Sequence, residues 1–285
     1  MPTFQYKIFE FVAGLIGVSK AIPKGLDKGA PPSDAPPRKV ASRWVKTRFR
    51  DRDIWTCAPK ANPTGRAYVH QHGGAYVLGL NGLQFSMMTE LSDTTGAVII
   101  LPDYPLPPER FAEDIIDWAA AHFDAVVTEY GSENIMLGGD SAGANLALAL
   151  CQTIPDIATD RLILISPWVD LDMANMDADT PNSELLLDPV SLRRAGHRYA
   201  GNRKPADPLI SPINANLTKM PPMTIITGEM DLLHSDIAQF AALAKAAGVR
   251  RKYAVYGEYG HYWMFYPTPD RCDVMMVLAD ALKYT

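Results

Sequence analysis

Gly139-Asp140-Ser141-Ala142-Gly143 is the stretch of this sequence that decides the fold, because of the residues on either side of it. The apolar run Ile135-Met136-Leu137 precedes it, and a helix-forming run, 144–150, follows it. A strand, a Gly-x-Ser-x-Gly turn and a helix in this order are typical of a nucleophile elbow, a strained turn that lifts a serine hydroxyl above the edge of a parallel sheet. The two glycines allow strand and helix to approach each other closely. The pattern therefore predicts a βα unit with Ser141 at its turn.

The order of apolar segments extends this prediction to the whole chain. From residue 66 onward strands and helices alternate, which predicts an α/β fold built on a doubly wound, mostly parallel sheet with helices on both faces. Residues 40–55 alternate enough to predict an antiparallel pair at the sheet edge. We expect the core to comprise residues 38–167 and 216–285. The Pro- and Asp-rich stretch 168–215 is too long for a plain loop, so we expect a lid or cap insertion there.

The composition argues against several classes of protein. The chain has 285 residues, of which 47% are hydrophobic and 21% charged, as expected for a globular protein with a full core. Its formal net charge is −5 and its basic residues are scattered, so a nucleic-acid partner is not expected. Cys57, Cys151 and Cys272 lie far apart and match no metal-ligand spacing, which predicts reduced thiols in a cytoplasmic protein. We expect no metal and no cofactor.

The N-terminal 37 residues predict an amphipathic helix followed by a stiff linker, the Pro-rich segment 31–37. The helical part is too short to span a bilayer, and Glu10 interrupts the apolar core that a signal peptide needs. We expect this helix to pack on the protein rather than to lie on a membrane surface, because its polar face is not strongly basic. Its apolar residues at helical spacing are Phe4, Ile8, Phe11, Val12, Leu15 and Ile16.

Three histidines follow Ser141, whose hydroxyl is a weak nucleophile unless a base lies within hydrogen-bond reach. His197 falls in the insertion on a predicted helix, and His234 stands near the start of another helix. His261 lies on a loop after the last predicted strand, from which an imidazole can swing in over the sheet edge. We therefore assign the base to His261.

A carboxylate that precedes His261 is needed to orient the imidazole and to stabilise its charged form. Asp231 comes shortly after the predicted strand 223–227, and the carboxyl ends of strands are where an open α/β sheet places its functional groups. Glu229, two residues closer to the strand, and Glu258, near the histidine, are rival carboxylates. Asp231 is the preferred acid.

The segment His72-Gly73-Gly74-Ala75 follows a predicted strand and can point backbone N–H groups at a developing oxyanion without side chains in the way. Removing one such donor typically costs ~3 kcal/mol of barrier, so this segment matters as much as the base. His70 and His72 are two residues apart and share one face of a strand, as metal ligands can. No carboxylate cluster accompanies them, so we do not expect a metal site.

These motifs, in this order, closely resemble the hormone-sensitive-lipase-like branch of the α/β-hydrolase fold, which includes bacterial carboxylesterases, lactone hydrolases and arylacetamide deacetylases. Segments 103–109 and 207–212 are similar to that family's Asp-Tyr-Arg-Leu-Ala-Pro-Glu and Asp-Pro-x-x-Ser-Pro segments. The resemblance runs from about Val40 to the C-terminus. Pro105 and Pro107 replace the family's Arg and Ala, which removes an ion pair and stiffens the loop.

The resemblance implies roles for particular residues. Ser141 is the expected nucleophile, His261 the base and Asp231 the orienting acid. Residues 1–37 and 168–215 are expected to cover the site as a cap. The expected oxyanion hole comprises Gly73, Gly74, Ala75 and Ala142, with the N–H groups of the last three as donors.

The function implied is that of a serine hydrolase that cleaves small to medium carboxyl esters or lactones through an acyl-enzyme intermediate, with acyl chains of about eight carbons or fewer. Where the family usually has a third glycine, the methyl group of Ala75 is expected to exclude esters of bulky tertiary alcohols. Amide or formamide hydrolysis and a non-catalytic small-molecule receptor are the alternatives. The expected partner is a small molecule, with no membrane span, and a homodimer is left open. Aromatic candidates for the substrate pocket are Tyr76, Trp168, Tyr199, Tyr262 and Trp263.

Overall fold

An eight-stranded sheet forms the centre of the computed structural model, which describes residues 1–15, 20–157, 159–174, 176 and 186–283. The strands are β1 (Trp44–Phe49), β2 (Arg52–Cys57), β3 (Ala67–Gln71), β4 (Val98–Pro102), β5 (Ile135–Asp140), β6 (Leu162–Ile165), β7 (Met223–Gly228) and β8 (Arg251–Tyr256). The α-helices are α1 (Phe4–Leu15), α2 (Ala21–Lys28), α3 (Gly82–Thr95), α4 (Ala112–Tyr130), α5 (Ala142–Thr153), α6 (Pro189–Ala200), α7 (His234–Ala246) and α8 (Arg271–Lys283).

The strands lie in the order β1-β2-β4-β3-β5-β6-β7-β8. Strands β3 to β8 pair in parallel, while β1 and β2 form an antiparallel hairpin at one edge, as the alternation in residues 40–55 predicts. Apolar residues fill both faces of the sheet: α4, α5 and α7 contribute Trp118, Leu146 and Phe240 to one side, and α3 and α8 contribute Phe85 and Leu278 to the other. The predicted α/β fold class, with a doubly wound and mostly parallel sheet, is confirmed.

Helix α2 is an element that the sequence analysis does not predict. It contains Pro23 and Gly25, both of which disfavour helix. Pro23 lies in the first turn, where the missing N–H has no intrahelical partner in any case. A Cβ on the buried Gly25 would come within 2.4 Å of Val77 Cγ1, so the glycine permits close packing on the core. Tertiary packing therefore overrides the weak helix propensity of this segment.

Helix α1 packs on the protein, but through a different face from the expected one. Tyr6 and Ala13 are buried, and the Phe9 ring lies 4.5 Å from that of Tyr266. The expected packing residues Phe4, Ile8, Phe11 and Val12 are exposed instead. The side chain of Leu15, and Ile16 as a whole, fall outside the described residues. Aromatic side chains on both faces make the helical period alone ambiguous about which face is buried.

The two parts of the chain that we expect to form the cap contact each other. Helix α2 packs on α6, which lies in the insertion between β6 and β7. The Arg198 guanidinium donates to the Leu26 carbonyl, and Arg194 pairs with Asp27 at 3.2 Å. The boundaries 1–37 and 168–215 remain a prediction. Among the described residues, none of the helices is both long and apolar enough to cross a bilayer.

Candidate active site

The turn between β5 and α5 holds Ser141 in a strained conformation. Its φ is 52° and its ψ is −116°, backbone angles that residues other than glycine rarely adopt. Added Cβ atoms on Gly139 and Gly143 would lie 2.4 and 2.0 Å from the carbonyl oxygen of Gln71, so both positions require glycine. The Ser141 N–H donates to the Ile165 carbonyl at 2.9 Å, which fixes the turn against β6. These contacts give the strained strand–turn–helix geometry that the sequence predicts, and the role of Ser141 as nucleophile stays a prediction.

His261 and Asp231 are brought together from two loops. The His261 Nδ1 lies 2.9 and 3.0 Å from the two carboxylate oxygens of Asp231, and both side chains are buried. The backbone N–H of Leu233 donates to the same carboxylate, at 2.9 Å. The rival carboxylates Glu229 and Glu258 are exposed. The structure thus pairs the preferred acid with the preferred base.

The other two histidines lie in different surroundings. His197, on α6, is half exposed, and its Nε2 lies 2.9 Å from Asp172 on the insertion. His234 is the first residue of α7. His261 is the histidine that shares a cavity with Ser141. Because β3, β5, β7 and β8 run parallel, the loops after them meet at one edge of the sheet, which is where these groups converge.

The loop after β3 has the backbone geometry expected of an oxyanion hole. Gly74 has a φ of 125°, and an added Cβ would lie 2.3 Å from the Leu78 carbonyl oxygen. Ala75 and Tyr76 follow with φ values of 56° and 57°. The described contacts leave the N–H groups of Gly74, Ala75 and Ala142 without a hydrogen-bond acceptor. Gly73 differs, because its N–H donates to the Asp140 carboxylate at 2.9 Å.

Asp140, the residue before the serine, ties this loop to the elbow. The residue is only 2% exposed. One carboxylate oxygen lies 2.9 Å from His70 Nε2 and accepts from both the Gly73 N–H and the Gln84 amide. The Nδ1 of His70 is in turn 2.9 Å from the Tyr68 hydroxyl. The sequence analysis missed this network, although a charged residue inside a buried elbow was a signal that it needed partners.

His70 and His72, considered above as metal ligands, have protein partners. The ring of His72 stacks on Tyr104 at 4.2 Å, and its Nδ1 lies 2.8 Å from the Gly73 carbonyl oxygen. Burial lowers the pKa of His72, so the neutral ring with Nδ1–H as donor is favoured. The Tyr104 hydroxyl donates to the His72 carbonyl at 2.6 Å. Both histidines therefore help to hold the loop after β3 in place.

A cavity of about 760 Å³ opens onto the candidate nucleophile. Ser141, His261 and the backbone of Gly73, Gly74 and Ala75 form its floor. Part of the remaining lining comes from apolar residues of α1, α2 and the insertion: Ile8, Phe9, Val12, Ile22, Leu186 and Leu187. The rest comes mainly from the linker before β1 and from segment 78–86, which includes the start of α3. The walls thus come partly from the segments expected to form the cap.

Of the five aromatic residues expected in the pocket, the structure places Tyr262 in the cavity lining. Tyr76 stacks on Tyr199 at 3.6 Å, and both rings are fully buried. Trp168 is buried behind the elbow, where its backbone N–H donates to the Ser141 carbonyl, and Trp263 packs on Tyr259. These four residues support the site from the core instead of lining it. Position near a motif does not reveal the direction of a side chain.

Helix α1 reaches the histidine loop directly. The Tyr6 hydroxyl accepts a hydrogen bond from the Gly260 N–H at 3.2 Å and donates to Glu10. The Tyr6 ring packs edge-on against Tyr259, at 5.0 Å. The N-terminal segment therefore contacts the residue that precedes His261, a link that nothing in the sequence pattern indicates.

Comparison with known proteins places this site in a family. A model described as the alpha/beta hydrolase fold matches residues 68–265, which span the loop after β3, the turn at Ser141 and His261. The chain belongs to the α/β-hydrolase family. The match covers more than half of this α/β-hydrolase and includes Ser141, Asp231 and His261.

Two relatives match this α/β-hydrolase over most of its length. It is 32% identical over 246 residues to an acetyl-hydrolase of Streptomyces hygroscopicus. The matched segment covers 84% of this chain and 77% of the relative. It is also 32% identical over 203 residues to an esterase of Acinetobacter venetianus, with 69% and 67% covered.

Solved structures share the fold of this α/β-hydrolase. A hormone-sensitive lipase from a metagenome library superimposes with a TM-score of 0.81 at 22% identity, covering 98% of this chain and 97% of the other. EstE5 soaked with ethyl alcohol gives a TM-score of 0.84 at 22% identity, with 99% and 98% covered. These likenesses confirm the architecture that the sequence motifs predict.

Proposed function

We propose that this α/β-hydrolase cleaves carboxyl esters of neutral, apolar acids through an acyl-enzyme intermediate. The observation that carries the proposal is the cavity that holds Ser141 and His261 together, with Asp231 hydrogen-bonded to the far nitrogen of the imidazole. The relatives named acetyl-hydrolase and esterase support the same reaction class.

The proposed first half-reaction forms the acyl-enzyme. The Ser141 hydroxyl attacks the ester carbonyl while Nε2 of His261 takes its proton, and that proton then passes to the alcohol oxygen as the ester bond breaks. Asp231 faces Nδ1, so it holds the imidazole with Nε2 unprotonated and stabilises the imidazolium that forms. In the second half-reaction water attacks the acyl group, His261 takes a proton from it, and Ser141 leaves with that proton as the acid is released.

The N–H groups of Gly74, Ala75 and Ala142 are the proposed donors to the tetrahedral oxyanion. Donors held in place before the reaction stabilise developing charge without reorganising, and each is worth about 3 kcal/mol of barrier in enzymes of this kind. The N–H of Gly73 is occupied by Asp140, so its proposed role is to anchor the loop. This refines the four-residue oxyanion hole expected from the sequence.

The cavity supports a preference within the ester class. A volume of about 760 Å³ is sufficient for an acyl chain of medium length together with its alcohol. The two charged residues in its lining, Asp34 and Asp140, are both acidic, so an anionic acyl chain would lose hydration without meeting a cation. We propose that open-chain esters and lactones with up to about eight acyl carbons are accepted, and that anionic half-esters are poor substrates.

The test is hydrolysis of p-nitrophenyl butyrate by the wild-type protein and by Ser141→Ala. The proposal requires the alanine variant to lose at least ~10³-fold in kcat while its thermal unfolding stays unchanged. Ser132→Ala is the matched control, because Ser132 is exposed and precedes β5, at the end of the strand opposite Ser141. Retention of most activity by Ser141→Ala would refute the assignment.

The same substrate series separates the alternatives. An amide or formamide hydrolase would cleave the matched p-nitroanilide or formamide faster than the ester at equal acyl length. A receptor would bind a small apolar ligand, seen as a raised melting temperature, and show no Ser141-dependent turnover. A lactone preference would appear as a higher kcat/KM for a lactone than for the open-chain ester of the same acid.

A further inference from the structure

One face of α1 is apolar and uncovered. Phe4 and Phe11 are 76% and 65% exposed, and Met1, Ile8 and Val12 are exposed beside them. These five residues are called here the N-terminal apolar patch: Met1 precedes the helix, and the other four lie on the side of α1 opposite the buried Tyr6 and Ala13. In the described part of the chain, five of the twelve exposed large hydrophobic residues belong to this patch. Such a concentration on a folded protein marks an interaction surface.

The N-terminal apolar patch is continuous with the substrate cavity. Ile8 and Val12 are about half exposed and also line the cavity that holds Ser141. They therefore lie at its opening, with one side toward solvent and the other toward the cavity. Whatever covers the patch also lies at the entrance used by the substrate.

The charge of the segment that carries the patch favours an anionic partner. The first 39 residues contain six Lys and Arg side chains but only three Asp and Glu, in a chain whose net charge is −5. The polar face of α1 itself is not strongly basic, because only Lys7 lies on it, and the other five basic residues follow the helix in the chain. All six are exposed: Lys7, Lys20, Lys24, Lys28, Arg38 and Lys39. An exposed apolar helix face within a basic segment is typical of segments that bind anionic lipid.

We propose that the N-terminal apolar patch docks on an anionic lipid surface, with α1 lying at the boundary of headgroups and acyl chains. The bilayer faces the cavity opening, so apolar esters can pass from the lipid to the site. The proposal concerns a docking surface and does not depend on which ester is cleaved.

A second copy of the chain is the competing occupant, and the structure favours it less. A rigid partner helix packed on Ile8 and Val12 would close the cavity opening, whereas a lipid surface at the same place can supply apolar esters to it. The basic residues of this segment would also repel those of a second copy, whereas they attract an anionic surface.

The test is co-sedimentation of the full chain with vesicles of 30% phosphatidylglycerol in phosphatidylcholine, compared with vesicles of phosphatidylcholine alone. The paired substitution Phe4→Ser and Phe11→Ser removes the two most exposed aromatic rings of the patch, neither of which lines the cavity. Met276→Ser is the matched control, since Met276 is 60% exposed on α8. Light scattering gives the oligomeric state, and p-nitrophenyl acetate reports activity on a dissolved substrate.

The proposal predicts binding to the anionic vesicles that weakens with salt, falls at least ~10-fold in the paired variant and is unchanged in the control. All three proteins should hydrolyse dissolved p-nitrophenyl acetate equally. Equal vesicle binding by wild type and paired variant, or no vesicle binding at all, would overturn it. A dimer that the paired variant abolishes would assign the patch to a second copy. Absence of esterase activity in the wild type and in both variants would refute the proposed function. The vesicle binding would still test the docking proposal by itself.

Discussion

Replacing Asp140 by asparagine should slow the reaction without changing any group that reacts. The carboxylate is buried and accepts hydrogen bonds from Gly73 and Gln84, with His70 Nε2 also at 2.9 Å. An added Cβ on Gly73 would lie 2.2 Å from the second carboxylate oxygen, so the oxyanion loop packs directly on this side chain. Any shift of Asp140 is therefore passed to the proposed oxyanion donors that follow.

The magnitude follows from the hydrogen bonds that asparagine can keep. Its one oxygen can still accept from Gly73 and face His70, but its NH₂ group faces the Gln84 amide, whose nitrogen lies 3.3 Å from the second carboxylate oxygen. The Gln84 side-chain amide cannot flip freely, because its oxygen accepts a hydrogen bond from the Asn81 backbone N–H in the N-terminal cap of α3. One charge-assisted hydrogen bond is lost, which should destabilise the fold by about 1–3 kcal/mol. A displaced oxyanion loop should lower kcat by about 10- to 100-fold.

The assay is steady-state hydrolysis of p-nitrophenyl butyrate with thermal unfolding in parallel. The expected signature is a loss in kcat with KM within about threefold, because the donors act mainly on the transition state. Asp172→Asn is the matched control: its carboxylate also lies 2.9 Å from a histidine Nε2, that of His197, but on the half-exposed surface of the insertion. Unchanged kcat in a folded Asp140→Asn protein would refute the role of this network.

Four further predictions concern single residues. Asp231→Asn should lower kcat by about 10³- to 10⁴-fold through loss of tautomer control, whereas Glu229→Gln should leave it within twofold. Ala75→Gly should raise activity on tert-butyl acetate at least ~10-fold and leave ethyl acetate nearly unchanged, because it removes a methyl group beside the proposed oxyanion donors. Tyr6→Phe should lower kcat and cost about 1–3 kcal/mol of stability, since the buried Gly260 N–H loses its acceptor. Burial lowers the pKa of His122 from 6.5 to about 4, so its contribution to stability is present above pH 6.5 and is lost as the pH falls toward 4. From pH 7.5 to 5 that loss is about 2 kcal/mol, and His122→Phe should abolish it.

Each of these predictions has an outcome that contradicts it. For the acid, the account is wrong if Glu229→Gln is the slower variant. For Ala75, equal gains on tert-butyl and ethyl acetate would show a general effect on the loop. For Tyr6, full activity in Tyr6→Phe would mean that α1 does not position the histidine loop. For His122, urea unfolding at pH 7.5 and 5 should show a smaller difference in the variant than in the wild type, and identical differences would exclude this residue as a cause of acid sensitivity.

The elements that sequence predicts well are those whose residues have few conformational choices. Gly139 and Gly143 are needed because strand and helix pack too closely there for a Cβ atom. Five residues of sequence are therefore enough to predict the turn. The parallel sheet follows in the same way from short apolar runs that only full burial explains. The candidate triad is predictable because its members follow the ends of strands whose order along the chain was already clear.

The residues that sequence reasoning misplaced depend on direction and on tertiary contact. Helical spacing identified an apolar stripe on α1, yet Tyr6 on the other face is the side chain that packs, because Tyr259 and Gly260 receive it. Trp168 is the first residue of the predicted insertion but is fully buried in the core behind the elbow. Helix α2 forms despite Pro23 because it lies against the core. All three outcomes depend on contacts with residues distant in the sequence, so the local spacing of apolar residues does not predict them.

The central claim is that the Ser141 oxygen becomes acylated, with His261 and Asp231 supporting its attack. Labelling with a fluorophosphonate probe, followed by peptide mass spectrometry, tests this most directly, because the probe reacts with activated serines and needs no knowledge of the substrate. The account predicts a single adduct on Ser141, absent in Ser141→Ala and formed far more slowly in Asp231→Asn. An adduct on another residue, or no adduct in a protein that still hydrolyses p-nitrophenyl butyrate, would contradict it.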